Sequence, residues 1–292
     1  MDGAHDTGGE QTALWNVPAG RAWVDTQELL DRVLKPFEDL LVGAVFAGSG
    51  SPANDVKAIL DVGCGTGSTT IAMARRLGQR GHATGIDISA PMIDAARARV
   101  ERERTSADFI CADAQVHAFE PARFDTIVSR FGVMFFDDSI AAFSNLRRAA
   151  ADDARLRFVA WRSAAENPFM TTAERAAGPV LPNLPPRRPD APGQFAFADG
   201  ARVRSILAES GWRRIDIQPI DVDCALPEPE LLRYVTRLGP VGLILQEADD
   251  RTRARVVEAI RPAFDRYVRG DDVRFTAACW MVGAEAQAGG RL

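Results

Sequence analysis

Residues 59–70, ILDVGCGTGSTT, place three glycines within five positions directly after an apolar run. An aspartate, Asp61, stands two residues before the first of these glycines. Glycine allows positive φ and a close approach of other groups to the main chain, but it loses much conformational entropy on folding. A segment that bears this cost three times is expected to wrap around a ligand.

The glycine loop lies within a regular alternation of strand-like and helix-like segments. Apolar runs are typical of buried strands, and apolar residues three or four positions apart are typical of helices. The predicted strands are 58–62, 82–88, 107–113, 124–131 and 154–161, and the predicted helices between them are 68–79, 90–104 and 139–150. Such alternation indicates a parallel sheet covered on both faces. Because crossover connections are right-handed, we predict an α/β fold with a doubly wound open sheet.

The composition of the loop argues against a phosphate-bearing ligand. A phosphate loop of the Walker type contains a lysine, and residues 59–70 contain none. A dinucleotide fingerprint needs a glycine where this chain has Ser68. The Asp61 carboxylate would also face the negative pyrophosphate of a dinucleotide. These details disfavour NAD without excluding it.

Three aspartates at the ends of consecutive predicted strands favour a ligand with positive charge. Asp61, Asp87 and Asp113 end the first three strands, so we expect them to line one edge of the sheet. Asp87 can accept hydrogen bonds from two ribose hydroxyls, and Asp113 can accept one from an adenine amino group. A cationic ligand with a ribose and an adenine but no phosphate is S-adenosylmethionine.

Four motifs in order, ILDVGCGTG, GIDIS, CADAQ and FDTIVSRFGVMFF, resemble those of the class I S-adenosylmethionine-dependent methyltransferases. The nearest likeness is to the small-molecule branch that includes the ubiquinone/menaquinone-biosynthesis type. The resemblance covers residues 58 to 161 well and 199–226 more loosely. It implies a Rossmann-like, seven-stranded, mostly parallel sheet whose last strand, 273–285, runs antiparallel.

The same resemblance assigns residues to the methionine part of the cofactor. Asp61 and the backbone of Gly63 and Gly65 would hold this part. Cys64 lies between the two glycines, so it is counted among the cofactor-binding residues by its position. Its side chain is expected to pack inside the protein. Ser129 would border the methionine end from the fourth strand.

The nucleoside part of the cofactor is assigned in the same way. Asp87 would bind the ribose. Ile88 and Met92 would flank the adenine ring, and Asp113 with Ala114 would bind its edge.

Two polar residues near this edge are candidates for a catalytic role. His117 takes the place of a leucine in a run that resembles the family's DAxxLPF, so it is either a proton acceptor near the site or a partly buried structural histidine. Arg130, which would also border the methionine end, either orients an anionic substrate or pairs with an aspartate such as Asp137.

Segments outside the alternating region are expected to cover the open edge of the sheet. Trp15 and Trp23 either pack the N-terminal helix on the core or form an aromatic wall over the sulfonium. Seven prolines between residues 164 and 198 argue against a regular core element there. The predicted organisation is an N-terminal helical cap (1–57), a cofactor-binding core (58–163 and 199–227), a proline-rich cap insertion (164–198), a helical insertion (228–270), and a last core strand with the tail (271–292).

Composition restricts the class of partner. The 292 residues carry a net charge of −5, which disfavours nucleic acid as the main partner. The four cysteines form no C-x-x-C pair, and the three histidines show no metal-ligand spacing, so we expect free thiols and no metal.

No apolar run approaches the roughly 20 residues of a membrane helix, and no signal-peptide core is present, which indicates a cytoplasmic protein. The oligomeric state stays open.

These observations favour an enzyme that transfers a methyl group directly from S-adenosylmethionine to a small apolar or aromatic molecule. An activated sulfonium needs alignment and exclusion of water more than a dedicated base. The alternatives are an NAD-dependent oxidoreductase on a related sheet and a non-catalytic cofactor-binding protein. The candidate substrate walls are Phe135, Phe136, Trp161, Phe169, Phe195 and Phe197.

Overall fold

One sheet organises the chain in the computed structural model, which describes residues 7–47, 56–188 and 191–287. Its strands are β1 (Ala58–Val62), β2 (His82–Asp87), β3 (Asp108–Cys111), β4 (Phe124–Arg130), β5 (Ala150–Trp161), β6 (Trp212–Pro227), β7 (Val268–Arg269) and β8 (Asp272–Ala286). The strand order is β3-β2-β1-β4-β5-β8-β6, and the two-residue β7 pairs with β8. Strands β1 to β5 pair in parallel, whereas β8 is antiparallel to both β5 and β6.

The predicted seven-stranded, mostly parallel sheet with an antiparallel last strand is confirmed along this path. Apart from the short β7, it has the expected seven strands. Strand β1 is almost entirely buried, as expected for a parallel strand covered on both faces. The register pairs Val62 with Ile86, and Asp87 with Cys111. The carboxyl ends of β1, β2 and β3 therefore meet at one edge, where the predicted acids lie.

Eleven α-helices surround this sheet in the described part of the chain. They are α1 (Thr7–Asn16), α2 (Pro18–Asp25), α3 (Gln27–Phe46), α4 (Ser68–Leu77), α5 (Ala90–Glu103), α6 (Ser139–Ala149), α7 (Pro168–Ala177), α8 (Gly200–Glu209), α9 (Leu231–Arg237), α10 (Gly239–Glu247) and α11 (Asp250–Ile260). Short 3₁₀ turns occupy Gly78–Arg80, Gly132–Phe135, Glu228–Glu230 and Arg261–Tyr267. No helix in these described ranges has the length and apolar character that crossing a membrane requires.

Helix α3 runs through Pro36 without ending there. Proline removes one backbone hydrogen bond, which favours a break in a helix interior. Here Val33, Phe37 and Leu41 are fully buried, and α3 packs against β4, β5 and β6. Tertiary packing supplies most helical stability in proteins, and it outweighs the missing bond. Gln27–Phe46 therefore forms one helix rather than two short ones.

The proline-rich segment contains a helix, so the prediction of no regular core element there was wrong. Helix α7 begins at Pro168. Proline lacks an N–H, but N–H groups in the first turn of a helix have no acceptor within the helix, so no hydrogen bond is lost there. The other six prolines of 164–198 follow the helix, so they do not interrupt it. Phe169 and Ala177 of α7 are buried in the main hydrophobic core.

The described ranges leave out parts of three predicted segments. Residues 1–6 and 48–55 of the predicted N-terminal cap lie outside them, as do residues 189–190 of the proline-rich insertion and 288–292 of the tail. The predicted domain boundaries stay predictions.

Candidate functional site

The loop after β1 needs glycine for two separate reasons. Gly63, Gly65 and Gly67 all have positive φ, at 66°, 55° and 83°. A Cβ on Gly63 would also lie 2.5 Å from the Cα of Gly132, in the turn after β4. The N–H of Gly63 donates a hydrogen bond of 2.8 Å to the carbonyl of Ile86. The loop is therefore held against its neighbours backbone to backbone, which leaves its outer side open to a ligand.

Asp61 is a buried carboxylate with one unsatisfied oxygen. Its Oδ2 accepts a hydrogen bond of 2.7 Å from the Thr70 hydroxyl, whereas Oδ1 is buried without a partner. Burial raises the pKa of Asp61 to about 7. Thr70 and Arg130 oppose the rise in this pKa, and the charges of Asp87 and Glu38 add to it. A cationic donor at Oδ1 would satisfy both the hydrogen bond and the charge.

Asp87 has both oxygens engaged by the backbone. Oδ2 accepts from the N–H of Gly65 at 2.8 Å, and Oδ1 accepts from the N–H of Ser89 at 2.9 Å. Burial raises the pKa of Asp87, and these backbone donors oppose the rise. A carboxylate offers about four lone-pair sites, so it can accept further hydrogen bonds. Asp87 thus braces the glycine loop and the start of α5 while keeping acceptor capacity.

Asp113 and Ala114 follow β3 in a tight turn. Oδ1 of Asp113 accepts a hydrogen bond of 2.8 Å from the N–H of Gln115. The amide of Asn145 donates to the carbonyl of Ala114 at 2.9 Å. Helix α6 therefore fixes the loop that presents Asp113 at the sheet edge.

Arg130 lies among acids at the end of β4. Its Nη1 donates to the carbonyl of Leu34 at 3.4 Å. Burial lowers the pKa of Arg130, whereas the carboxylates of Glu38, Asp31 and Asp61 raise it. The guanidinium therefore lies within the electrostatic influence of carboxylates from α3 and β1.

One cavity of about 800 Å³ brings most of the predicted residues together. Among those predicted to bind the cofactor, the ones that line it are Asp61, Gly63, Cys64, Gly65, Asp87, Ile88, Met92, Asp113, Ala114, Arg130 and Trp15. Burial raises the pKa of the Cys64 thiol, which suits a packing role. The assignment of cofactor contacts to these residues stays a prediction.

Ser129 and His117 do not line the cavity. The Ser129 hydroxyl is fully buried, donates to the carbonyl of Val62 at 2.7 Å and accepts from the N–H of Gly132 at 3.1 Å. The ring of His117 contacts Phe119 edge to face at 4.7 Å. Ser129 therefore holds the turn after β4 in place, and His117 packs beside the site.

The N-terminal helices close one side of the cavity, and both predicted tryptophans line it. The ring of Trp15 packs edge to face on Phe135 at 5.1 Å and on Trp23 at 6.0 Å. Its carbonyl accepts from the Ser89 hydroxyl at 2.7 Å, and the Asn16 amide bonds to the backbone at the start of α5. Sequence reasoning did not identify these contacts between α1 and the start of α5, because the bonded residues are more than 70 positions apart.

The rest of the cavity wall is largely apolar and rich in aromatic side chains. Its aromatic members are Phe131, Phe135, Phe136, Trp161, Phe169, Phe195, Tyr234 and Phe264, beside Met134, Met170 and several leucines. Phe197, also predicted as a wall, is buried in the core against Phe143 and Phe158. Tyr234 and Phe264 come from the predicted helical insertion, and no motif had marked them.

The titratable side chains that line the cavity are carboxylates, arginines, one cysteine and one tyrosine. Within residues 7–47, 56–188 and 191–287, no group of three or more His, Cys, Asp or Glu side chains could hold a metal ion. Among the described lining residues there is no histidine or lysine. The arrangement is suited to binding a cation beside an apolar molecule.

Sheet order, glycine loop and strand-end acids together define the class I methyltransferase fold. Residues 59–153 match a family model described as a methyltransferase domain. The predicted resemblance to class I S-adenosylmethionine-dependent methyltransferases is confirmed by this match, which also supports the predicted cofactor.

Two individual proteins with similar sequences are also named as methyltransferases. The chain is 30% identical over 101 residues to aklanonic acid methyltransferase DauC of Streptomyces sp. strain C5, covering 34% of this chain and 46% of that protein. It is 34% identical over 101 residues to a demethylmenaquinone methyltransferase of Lactiplantibacillus plantarum, covering 34% and 42%. The alignments thus span less than half the length of these two relatives.

A solved structure agrees on the fold. Magnesium protoporphyrin IX methyltransferase from Synechocystis, determined with bound SAH, is similar with a TM-score of 0.52 at 18% identity. The similarity covers 75% of this chain and 93% of that one.

Proposed function

We propose that this protein is a methyltransferase that uses S-adenosylmethionine to methylate a small molecule with an apolar or aromatic body. One observation carries the proposal: a single cavity joins the strand-end acids to the aromatic wall. A cofactor held at the acids would present its methyl group to a molecule held at the wall. Both reactants would then share one enclosed space.

The residues at the acidic end fit this cofactor. The unpartnered Oδ1 of Asp61 suits the ammonium group of the methionine part. Asp87 and Asp113 offer acceptors for ribose hydroxyls and an adenine amino group. A dinucleotide would instead bring its pyrophosphate to a loop that carries Asp61, and neither the oxidoreductase nor the non-catalytic alternative gains support from the comparisons.

The work of the chain in such a reaction is alignment and exclusion of water. The cofactor supplies a methyl group already activated on a sulfonium. Asp61 and the glycine loop would fix one end of the cofactor, and Asp87 would fix its ribose. Aromatic side chains such as Phe135 and Trp161 would keep water from the line of transfer. Because the sulfonium is already activated, positioning rather than proton transfer is proposed as the main contribution.

We also propose that the N-terminal helices and the proline-rich insertion act as a cap over the acceptor. This is supported by the cavity lining that comes from α1, α2 and the described residues of 186–188 and 191–198.

Two measurements test the proposed function in sequence. Calorimetric titration with S-adenosylmethionine is expected to show binding of one molecule per chain. A panel of apolar and aromatic compounds is then incubated with the protein, and release of S-adenosylhomocysteine is followed. If S-adenosylmethionine binds but no compound leads to release of S-adenosylhomocysteine, the non-catalytic alternative is favoured. If S-adenosylmethionine does not bind, the proposal is wrong.

A further inference from the structure

Tyr234 lines the aromatic part of the cavity with a poorly satisfied hydroxyl. Its one hydrogen-bond partner in the described part of the chain is the Sδ atom of Met170, at 4.0 Å. A thioether sulfur is a weak acceptor. The Tyr234 side chain is only part-buried, so a better partner can reach the hydroxyl from the cavity that this residue lines.

The surroundings of Tyr234 are apolar. The ring centroids of Tyr234 and Phe169 are 6.3 Å apart. Phe169, Met170 and Phe264 line the same cavity as Tyr234. Burial raises the pKa of the Tyr234 hydroxyl well above its ordinary value, and the neighbouring Cys224 adds to the rise. The hydroxyl therefore keeps its proton at neutral pH and acts as a hydrogen-bond donor.

The second tyrosine of the chain provides a contrast. The Tyr267 hydroxyl accepts from Arg266 at 2.5 Å and lies 3.5 Å from the Thr172 hydroxyl. Its ring packs on Phe169 at 5.1 Å, but it does not line the cavity. Two tyrosines thus touch the same phenylalanine, and the one that faces the cavity lacks a good partner.

We propose that the Tyr234 hydroxyl donates a hydrogen bond to an oxygen atom of the methyl acceptor, so that Tyr234 selects molecules with a carbonyl or phenolic oxygen on an apolar body. This rests on the proposed function, in which the acceptor occupies the aromatic part of the cavity. An acceptor without such an oxygen would leave the hydroxyl without a proper partner.

A matched pair of probes tests this selection. 2-Acetylnaphthalene and 2-isopropenylnaphthalene have nearly the same shape, and a carbonyl oxygen in the first replaces a CH₂ group in the second. Their affinities are measured by equilibrium dialysis for the wild type, Tyr234→Phe and the control Tyr267→Phe. The wild type and the control are expected to bind the ketone about three- to tenfold more tightly than the hydrocarbon. Tyr234→Phe is expected to lose this preference and to bind the hydrocarbon at least as tightly as the ketone, because the carbonyl oxygen then has no donor.

The inference is overturned if the wild type binds the two probes equally or binds neither of them. It is also overturned if Tyr234→Phe still prefers the ketone. A fall of many degrees in the melting temperature of Tyr234→Phe would assign the hydroxyl a structural role instead. We expect no such fall, because the variant loses no good hydrogen bond.

The dialysis is done without cofactor, so that its outcome is separate from the test of the proposed function. Calorimetry with S-adenosylmethionine on the same variants is expected to give unchanged cofactor affinity. If the wild type binds no S-adenosylmethionine, the proposed function fails whatever the probes show. If it binds the cofactor and shows no preference between the probes, the inference about Tyr234 alone fails.

Discussion

Asp61 and Asp87 end neighbouring strands as buried carboxylates, yet their hydrogen bonding differs. Asp87 accepts from two backbone N–H groups, whereas Asp61 accepts from the Thr70 hydroxyl and leaves one oxygen without a partner. A buried charge is costly unless it is compensated. Asp61 is therefore the acid whose ionisation should depend most on a bound cation.

Cofactor affinity should rise with pH because of Asp61. Its pKa of about 7 lies above the ordinary 3.8, so the carboxyl is mostly protonated below pH 7. A cationic ligand favours the ionised Asp61 carboxylate. Below pH 7 part of the binding free energy is used to ionise this carboxyl, so binding becomes weaker. Affinity for S-adenosylmethionine should fall about tenfold for each pH unit below 7 and level off above it.

Calorimetry between about pH 5.5 and 8.5 measures this dependence around the Asp61 pKa. Asp61→Asn keeps an oxygen for Thr70 but cannot ionise, so its affinity should be weaker and nearly independent of pH. An equal slope in both proteins would show that another group titrates.

Replacing Asp87 should weaken cofactor binding without unfolding the protein. Asp87→Ala removes charge-assisted hydrogen bonds worth about 1.5–3 kcal/mol each, so the loss of two lowers affinity roughly 100-fold. Asp125→Ala is a matched control, because Asp125 also accepts from two backbone N–H groups, those of Lys57 and Ala58, but does not line the cavity.

Both variants should lose stability in thermal melts, since each leaves two backbone donors without their acceptor. The control should bind S-adenosylmethionine as the wild type does. Unchanged affinity in a folded Asp87→Ala would remove Asp87 from the site.

At the scale of elements, the site depends on contact between the loops that follow β1 and β4. Gly63→Ala places a Cβ 2.5 Å from the Cα of Gly132, at a φ of 66°. Gly270→Ala adds the same group at a φ of 62° with nothing within 4 Å. Positive φ alone costs roughly 1–2 kcal/mol, and crowding adds about 1–3 kcal/mol at the first position.

Chemical denaturation compares the free energies of unfolding of the two variants. The loss should be clearly larger for Gly63→Ala, and this variant alone should lose cofactor affinity. Equal losses would mean that the two loops can separate at little cost.

The elements that the sequence predicted are those with a strong local signal. Strand β1 is a short apolar run before glycines, and α5 begins after Ser89, whose hydroxyl accepts from the N–H of Met92. The strand-end acids could be placed because parallel strands share one carboxyl edge. These inferences need only nearby residues and one rule of topology.

The parts that sequence reasoning missed depend on distant contacts. Phe197 looked like a substrate wall but packs on Phe143, and Tyr234 in α9 reaches the cavity beside Met170. Helix α1 is tied to α5 through Ser89 and Trp15, 74 residues apart. Aromatic residues in helices and loops give the same local pattern whether they face the core or a cavity, so the pattern cannot distinguish the two.

At the scale of the whole molecule, the cap should act on the acceptor rather than on the cofactor. Replacing residues 182–194 with a short Gly-Ser linker removes Arg187, which pairs with Glu174, and Gly193, whose N–H donates to the carbonyl of Met134 at 3.0 Å. Acceptor turnover should fall while affinity for S-adenosylmethionine changes little, because the strand-end acids are untouched. Turnover at the wild-type level would show that the segment has no part in enclosing the acceptor.

The central claim is that the acidic edge of this sheet binds S-adenosylmethionine. Calorimetric titration of the full chain with S-adenosylmethionine and, separately, with NAD tests it most directly. We predict saturable binding of S-adenosylmethionine at one site per chain and no heat of binding for NAD. Binding of NAD without binding of S-adenosylmethionine would contradict the account and favour an oxidoreductase on a related sheet.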